Sequence, residues 1–483
     1  MEEKFDYSKI GLKCGLEIHQ QLDTGKLFCN CHSLMRNDNP DFTIRRKLHV
    51  VAGESGEIDV AAKHEAEKDR DFIYEGYYDN TCLIELDEEP PHEINQDSLK
   101  IALQISILLN AKTFPLSQIM RKTVVDGSNT GGFQRTVLIA RDGFVETEHG
   151  RVKIESICLE EDSARIIDRK KELSVYRLDR LGIPLIEVTT APDIKTPEQA
   201  KEVALHIGDI LRSCNVKRGI GTIRQDLNIS IKKGARIEIK GFQDPAIMVK
   251  TINSEIKRQK EIIEKENEIN SEVRKVFPDG TTEFLRPMPG AARMYPETDL
   301  PLLKISKDLI DSVKKNLPKL KSELEKDLME SGLSQEMIKI LFKQNKLQEF
   351  KELLEIVDNP QLIAKLLLIF PKEISSREKL HLAEVENILT KDVLIFALEN
   401  LKNKKIGEGH IKHFLERVVK GEKLDKAIVH EKKEVSSIEE NVMKIIKDKP
   451  GLSPNAYMGL VMKEFKGKVD GKEVMEIIQK FTK

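Results

Sequence analysis

Short runs of alternating apolar and polar residues recur through the first 303 positions of the chain, separated by Gly, Pro and Thr. A period of two residues is typical of β-strands with one buried face. Helical spacing appears between these runs in SLKIALQISILLNA (98–111) and TPEQAKEVALHIGDILRSC (196–214), the latter with Thr196 as a predicted N-cap. The predicted strands are VKIESICLEE (152–161), IPLIEVTT (183–190), DLNISIKK (226–233) and ARIEIKGF (235–242). The pattern predicts a domain of mixed helices and strands over residues 1–303.

The alternating pattern disappears after residue 303, and apolar residues then recur at helical spacing. This spacing is clear in LSQEMIKILFKQNKLQEFKELLEIV (333–357) and in KLHLAEVENILTKDVLIFALENL (379–401). Such spacing gives each helix one apolar face that can pack against its neighbours. We therefore predict an all-helical domain over residues 304–427.

The end of the chain has its own pattern. Residues 428–437 lie in a charged, Ser-containing stretch, which is typical of a linker. Ser437 with Glu440 then forms a capping-box pattern, and the Ser453-Pro454 dipeptide predicts a helix with Pro at its first position. We predict a small three-helix tail over residues 438–483.

Composition narrows the class of protein. The 483 residues are 39% hydrophobic and 33% charged, as expected for a globular protein with solvated helix faces. No apolar stretch approaches the roughly 20 residues that a membrane span needs, and MEEKFDYSKI does not resemble a signal peptide. Six cysteines in so long a chain do not form a disulfide framework. We expect a cytoplasmic protein with no membrane partner. The net charge of −2 neither requires nor excludes an RNA partner.

Several polar residues occupy strand positions where apolar residues would be expected. Glu17 and His19, in LKCGLEIHQQLDTG, are two residues apart and therefore project from one face of a strand. Glu187 lies inside the apolar run IPLIEV, and Asp226 begins a polar face in DLNISIKK. A buried carboxylate is costly unless it is paired or bound to a metal.

A group of strand carboxylates with one histidine suits a Mg²⁺ site, because Mg²⁺ prefers oxygen ligands and shares them with nucleotide phosphates. Each acid taken alone fits a salt bridge at a strand edge equally well. The set as a whole favours a site, since buried unpaired acids are costly to keep. Glu160 and Glu161 end one strand, and neighbours point to opposite faces, so both cannot reach the same inward site.

Two loops could contact phosphate. Arg121 and Lys122 precede a Gly-rich stretch in MRKTVVDGSNTGGFQRT (120–136), whose backbone N–H groups could lie against phosphate. A hairpin turn that needs glycine explains the same residues. The segment RPMPGAARMYPETDLP (286–301) is a long irregular loop, of a kind that is often functional, although a surface turn is the alternative.

Three cysteines form a second candidate site. Cys29 and Cys31 form a Cys-x-Cys pair, and Cys82 follows in NTCLIELDEEPP. Three thiolates with one further ligand could hold a structural Zn²⁺. The spacing is not that of a standard zinc finger, and three buried free thiols are the alternative.

Five segments, taken together and in this order, closely resemble the B/E family of tRNA-dependent amidotransferase subunits (the GatB/GatE family). They are GLEIHQQLDTGKLFC, ICLEEDSARI, LDRLGIPLIEVTTAPDI, EIKGFQDPAIMVKTINSEIKRQ and MYPETDLP. IARDGFVETEHG and RPMPGAARMYPETDLP are similar to the archaeal E branch of the family rather than to the bacterial B branch. The resemblance covers nearly the whole chain.

The resemblance implies an ATP-dependent carbon–nitrogen ligase that takes its amido nitrogen from glutamine. Such a protein binds glutamyl-tRNA(Gln), phosphorylates the γ-carboxylate of the esterified glutamate with ATP, and lets ammonia displace phosphate to give glutaminyl-tRNA(Gln). A partner of the D type, an asparaginase-like glutaminase, releases the ammonia in a heterodimer or a dimer of heterodimers. The implied fold is α+β: a cradle-like catalytic domain with a mainly antiparallel sheet, a helical domain and a YqeY-like helical tail.

The resemblance also assigns residues. Glu17, His19, Glu161 and Glu187 match the catalytic Mg²⁺ ligands of the family, and Arg224 and Asp226 match a strand that faces the same nucleotide site.

The chain departs from the family pattern in two ways. Archaeal members of the E branch usually carry an insertion resembling part of aspartyl-tRNA synthetase, and only KEIIEKENEINSEVRKVFP occupies that place here. The bacterial branch has a CxxC motif where this chain reads Cys82-Leu-Ile-Glu85, so Glu85 or His32 would have to complete a zinc site.

Two other classes of function remain open from sequence. A non-catalytic tRNA-binding adaptor could keep the same scaffold, but an adaptor has no need of buried acids. A metal-dependent hydrolase is disfavoured because an acid-rich site with one histidine suits Mg²⁺-nucleotide better than Zn²⁺-bound water.

Overall fold

The computed structural model describes residues 5–50, 52, 56–265, 268–290, 293–344, 346–429, 434–465 and 471–482. The chain forms two compact units, Met1–Lys321 and Ser322–Lys483. Among the described residues, no helix combines the length and apolar character that a membrane crossing demands.

The first unit contains all of the described strands and six helices. Its strands are β1 (Lys13–Gln21), β2 (Phe42–Arg46), β3 (Asp71–Gly76), β4 (Lys112–Thr113), β5 (Leu116–Ser117), β6 (Ile119–Thr123), β7 (Phe133–Thr147), β8 (Gly150–Glu161), β9 (Arg165–Arg169), β10 (Leu173–Arg177), β11 (Pro184–Thr190), β12 (Ile223–Ser230), β13 (Ile237–Phe242), β14 (Glu272–Val276), β15 (Thr282–Pro287), β16 (Met294–Pro296) and β17 (Leu303–Lys304). Its helices are α1 (Tyr7–Ile10), α2 (Val60–Ala66), α3 (Gln96–Leu108), α4 (Pro197–Ser213), α5 (Pro245–Glu264) and α6 (Lys307–Lys315).

An 11-stranded sheet forms the centre of this unit, in the order β15-β14-β13-β12-β1-β11-β8-β7-β6-β16, with β4 paired to β7. Every neighbouring pair in it is antiparallel except β13 and β14. The predicted α+β class with a mainly antiparallel sheet is confirmed.

Alternation along each strand gives this sheet two different faces. On β1, Leu16 and Ile18 are fully buried in the core, while Glu17 and His19 project from the other side. Helices α3, α4 and α5 contribute apolar side chains to the same core. The Thr196 side chain accepts a hydrogen bond from the Gln199 backbone N–H, which confirms the predicted N-cap of α4.

Two smaller sheets complete the first unit. Strands β2, β3, β10 and β9 form a four-stranded sheet in that order, and β5 pairs with β17. Helix α6 also belongs to this unit, although it lies beyond the predicted boundary at residue 303. Val313 of α6 is buried in the main core, so apolar packing extends the unit to Lys321.

The second unit is helical throughout its described regular structure, as predicted for the chain after residue 303. Its helices are α7 (Lys321–Glu330), α8 (Gln335–Lys343), α9 (Leu347–Leu354), α10 (Pro360–Ala364), α11 (Phe370–Glu378), α12 (Leu382–Ile388), α13 (Lys391–Lys402), α14 (Ile411–Val419), α15 (Leu424–Val429), α16 (Glu434–Asp448), α17 (Pro454–Phe465) and α18 (Gly471–Phe481). A π-helical segment, Lys365–Ile369, joins α10 to α11, and a 3₁₀ turn, Glu408–His410, precedes α14.

The last three helices have their own small core, formed by residues such as Val442, Tyr457, Val461 and Ile478. Helix α17 starts at Pro454, at the Ser453-Pro454 dipeptide. The bounds of the linker, 428–437, and of the tail, 438–483, stay predictions. Residues 430–433 lie outside the described residues, and α16 begins at Glu434, three positions before the predicted cap Ser437.

Candidate active site

The polar face of the main sheet collects charged residues from neighbouring strands. His19 on β1 is directly opposite Glu187 on β11 and Arg224 on β12. Glu17 is opposite Asp226 in the same way. Because directly opposed residues of antiparallel strands share a face, five of the residues predicted from sequence lie together.

His19 is the centre of this group. Its Nε2 atom lies 3.3 Å from a carboxylate oxygen of Glu187 and 3.4 Å from one of Glu17. Burial opposes a charge on His19, but the hydrogen bond and charge of Glu187, together with Glu17, raise the pKa of His19 above its usual value. The imidazole therefore takes the protonated form readily while both carboxylates stay beside it.

The two carboxylates respond differently to burial. Burial and the nearby charge of Glu187 raise the pKa of Glu17 to about 7. Burial acts in the same direction on Glu187, but Lys122 and His19 hold the pKa of that carboxyl below its usual range. Glu187 is therefore the carboxylate of the pair that stays ionised, and Glu17 exchanges a proton near neutral pH.

Two lysines border the group on opposite sides. Lys122 Nζ on β6 lies 2.6 Å from Glu160 and 3.6 Å from Glu187. Lys240 Nζ on β13 lies 2.7 Å from Asp226 and 2.6 Å from Glu238. The acids raise the pKa of both lysines despite burial, so both remain cationic.

The donor set fits a hard divalent cation. Two groups of three residues have ligand atoms within 4.8 Å of one another, and both groups contain His19. One group adds Glu17 and Asp226, and the other adds Glu160 and Glu187. Carboxylate oxygens dominate both sets, as Mg²⁺ prefers.

Glu161 is not part of this arrangement, because it points to the opposite face of β8 from Glu160. It pairs with Arg135, whose Nη1 lies 3.4 Å from the Glu161 carboxylate. Arg135 also contacts Glu297, which in turn binds Arg121 through Nη2 at 2.6 Å. Glu160, by contrast, has a ligand atom within 4.8 Å of those of His19 and Glu187. The metal-binding role that the motif match predicts for Glu161 stays a prediction.

The side chains of Arg121 and Lys122 also point to opposite faces of their strand. They are neighbours on β6, so Lys122 reaches the polar face while Arg121 turns toward Glu297 and Asp299. The structure thus brings Lys122, Arg224 and Asp226 to the site, but not Arg121. Glu238 and Lys240 also reach the site and were not predicted from sequence, although their spacing of two in ARIEIKGF was the available signal.

The three cysteines come together with Glu85 at a separate place. Ligand atoms of Cys29, Cys31, Cys82 and Glu85 lie within 4.8 Å of one another. Cys29 Sγ donates to Glu85 Oε1 at 3.1 Å, and the Cys82 backbone N–H donates to Glu85 Oε2 at 2.7 Å. His32, the other candidate ligand, is not in this group of described residues.

This cysteine cluster has the electrostatics of a metal site. Hydrogen bonds with the Cys31 and Cys82 thiols are the largest causes that raise the pKa of Cys29. Hydrogen bonds with Cys29 and Cys82 lower the pKa of Cys31 to about 4. One thiolate is therefore available at neutral pH. Three sulfurs and one carboxylate oxygen provide the four ligands that a structural Zn²⁺ takes. The Nζ atom of the buried Lys26 forms an ion pair with the Glu85 carboxylate at 2.8 Å.

Comparison with known proteins adds independent findings. Residues 12–311 match the family model described as the GatB/GatE catalytic domain. The chain is similar to archaeal proteins that are each named as the E subunit of glutamyl-tRNA(Gln) amidotransferase. That of Methanocaldococcus jannaschii is 36% identical over 637 residues, covering 99% of this chain and 100% of the relative. That of Methanothermobacter thermautotrophicus is 37% identical over 500 residues, covering 76% and 81%. That of Pyrococcus abyssi is 35% identical over 585 residues, covering 93% and 92%.

Proposed function

Because the chain belongs to the GatB/GatE family, we propose that it is the E subunit of a glutamyl-tRNA(Gln) amidotransferase and carries the ATP-dependent step. In this reaction the γ-carboxylate of glutamate esterified to tRNA(Gln) attacks the γ-phosphoryl group of ATP, and ADP leaves. Ammonia then attacks the acyl phosphate, and phosphate leaves to give the amide of glutaminyl-tRNA(Gln). The observation that carries the proposal is the convergence of Glu17, His19, Glu187 and Glu160 on one face of the sheet.

We propose that Mg²⁺ is bound by Glu17, His19, Glu160, Glu187 and Asp226. When bound, the ion neutralises charge on the phosphates of ATP and on the transferring group. Glu187 supports this assignment because it stays ionised beside His19. His19 would hold the carboxylates in position and offer one nitrogen ligand.

The cationic residues supply the rest of an oxyanion site. Lys122 and Arg224 lie on either side of His19, and each has a charged head on the polar face. Phosphoryl transfer depends mainly on positioning and on neutralising negative charge. Lys122 and Arg224 are therefore suited to bind the phosphates of ATP or the γ-carboxylate of the esterified glutamate. Arg121, which faces Glu297, is better explained as part of a structural ion pair.

The nitrogen source is proposed to be a separate chain. The sequence contains no GxSxG nucleophile motif and no Cys with a recognisable His base. We propose that an asparaginase-like glutaminase of the D type supplies ammonia in a heterodimer or a dimer of heterodimers, in the cytoplasm.

The remaining parts of the chain have proposed roles consistent with this function. The cysteine cluster would hold a structural Zn²⁺ with Glu85 as its fourth ligand, and the YqeY-like tail would contact tRNA. We also propose that the aspartyl-tRNA-synthetase-like insertion is absent. The connection from α5 to β14 covers only residues 265–271, and the alignment with the M. jannaschii relative spans 637 residues against 483 here.

The test is an assay of the purified chain with glutamyl-tRNA(Gln), ATP, Mg²⁺ and ammonium chloride. Formation of ADP and glutaminyl-tRNA(Gln), both dependent on the charged tRNA, supports the proposal. The alternative is a non-catalytic tRNA-binding adaptor, which would bind the tRNA without cleaving ATP. ATP cleavage that ignores the aminoacyl group would also contradict the proposal.

A further inference from the structure

A buried aspartate adjoins the active site without belonging to the proposed metal ligands. Asp162 directly follows β8 and is only 1% exposed. Its Oδ2 accepts a hydrogen bond from Gln21 Nε2 at 2.7 Å, and its Oδ1 accepts one from Arg224 Nη2 at 2.9 Å. Oδ1 also accepts from the Ser163 backbone N–H at 2.9 Å. All three contacts constrain the carboxylate, so its orientation is well defined.

The partners of Asp162 connect it to the polar face. Gln21 continues the row of Glu17 and His19 along β1, since every second residue of a strand shares a face. Arg224 stands opposite His19 on β12. Asp162 therefore joins the ends of three strands, β1, β8 and β12, at the edge of the site.

The charges around Asp162 favour its ionised form. Burial opposes this form, but Arg224 and Arg180 hold the pKa of Asp162 below its usual value. Arg180 Nε lies 3.8 Å from the carboxylate, but it donates to the Ser163 carbonyl at 2.7 Å, and its Nη2 donates to the Ala164 carbonyl. Arg180 is thus held by the backbone, and Arg224 is the partner that Asp162 orients.

Arg224 still has donors to offer. Its side chain is 32% exposed, and only Nη2 is engaged by Asp162. Within the described part of the chain, Nε and Nη1 have no hydrogen-bond partner. A guanidinium held at one corner presents its other N–H groups in a fixed plane, which suits an oxyanion such as a phosphate or a carboxylate.

We propose that Asp162 is a positioning residue that fixes the Arg224 guanidinium for binding a substrate oxyanion. This inference rests on the proposed function and names a residue outside the set that the family resemblance assigns. The oxyanion is either a phosphate of ATP or the γ-carboxylate of the esterified glutamate, and the experiment separates the two.

The test compares Asp162→Asn with the wild-type full chain, using glutamyl-tRNA(Gln), Mg²⁺-ATP and ammonium chloride. Asn keeps one acceptor oxygen but lacks the negative charge of the carboxylate, so the contact with the Arg224 guanidinium weakens. We expect the KM for the substrate held by Arg224 to rise about tenfold or more, as for loss of a charged hydrogen bond. The kcat should change by less than about threefold. A rise in the KM for ATP identifies a phosphate, and a rise in that for the tRNA identifies the carboxylate.

Asp179→Asn is the matched control. Asp179 is fully buried and binds Arg165 Nη2 at 2.6 Å and the Arg36 backbone N–H at 2.8 Å, but neither arginine belongs to the proposed site. This variant should lower thermal stability without changing either KM. If Asp162→Asn and Asp179→Asn change KM equally, the positioning role is wrong.

A double-mutant cycle tests the coupling directly. Arg224→Lys should raise the same KM as Asp162→Asn, and combining the two should add little, since both remove one interaction. Additive effects would overturn the inference. Should Asp162→Asn not fold, Gln21→Leu removes the second support of the carboxylate and should raise the same KM to a smaller extent; an unchanged KM contradicts the proposal. Inactivity of the wild-type chain would instead contradict the proposed function.

Discussion

His19 Nε2 lies 3.3 Å from the Glu187 carboxylate, and the two residues are directly opposite each other on adjacent antiparallel strands. Their separation in sequence is large, but the sheet register makes them neighbours. The pairing explains why a histidine and a glutamate occupy strand positions that would otherwise be apolar.

Glu187→Gln should abolish ATP-dependent activation while the fold persists. Gln is nearly isosteric with Glu but lacks the negative charge that would hold Mg²⁺ beside the transferring phosphoryl group, a loss of several kcal/mol in barrier. ADP release in the presence of glutamyl-tRNA(Gln) measures the effect, and tRNA affinity should be unchanged. Glu155→Gln, at an exposed position of β8, is the control. Near-normal ATP cleavage by Glu187→Gln would refute the assignment.

Glu160→Gln and Glu161→Gln should differ although the residues are adjacent. Glu160 lies beside Lys122 and the proposed metal ligands, so its loss should raise the Mg²⁺ concentration needed for half-maximal turnover. Glu161 binds Arg135 on the other face, so its loss should lower the free energy of unfolding by about 1–3 kcal/mol. Mg²⁺ titrations and urea unfolding measure the two effects. The reverse result would restore Glu161 as the ligand.

The stabilisation of the protein by Mg²⁺ should increase with pH. The pKa of Glu17 is raised from 4.5 to about 7, so between these values the folded chain holds a proton that the unfolded chain releases. Metal-free stability contributed by Glu17 is therefore present below pH 4.5 and lost as pH rises toward 7. A cation that binds ionised Glu17 must displace this proton. Thermal unfolding with and without Mg²⁺ should show a larger shift at alkaline than at acidic pH, and Glu17→Gln should reduce the difference. A pH-independent shift would exclude Glu17 as a ligand.

The cysteine cluster should bind one Zn²⁺ per chain. Cys82→Ser removes one proposed ligand and should abolish the bound metal, as measured by elemental analysis of the purified protein. Glu85→Ala should weaken retention against a chelator, because it removes the proposed oxygen ligand. His32→Ala is the control and should retain zinc fully, since His32 lies outside the cluster. A metal-free wild-type chain with three reactive thiols would contradict the prediction.

Deleting residues 434–483 should weaken tRNA binding without slowing saturated turnover. Residues 441–483 contain nine Lys and five Asp or Glu, a net charge of +4 in a chain of −2. Contacts with phosphates make affinity fall as salt rises, in proportion to the number of contacts. The truncated chain should therefore show a higher KM for glutamyl-tRNA(Gln) and a flatter salt dependence. An ordinary solvated Lys-rich surface predicts no change in affinity.

Local sequence determined the elements and the faces of this protein. A period of two residues in GLEIHQQ places Leu16 and Ile18 in the core and Glu17 and His19 opposite them, whatever the neighbouring strands are. The loss of the alternating strand pattern after residue 303 likewise predicted the helical second unit. These features depend on backbone geometry and on burial of apolar side chains, both of which act over a few residues.

Only the tertiary structure decided which residues share a site. Glu160 rather than Glu161 lies near Glu187. Alternation places these two neighbours on opposite faces of β8, and only the register of β8 against β11 decides which of them lies on the face of Glu187. The same holds for Lys122 over Arg121, and for the link from Asp162 to Arg224. Strand order and register arise from contacts between segments far apart in the chain, and the pattern within any one segment contains no information about its partner.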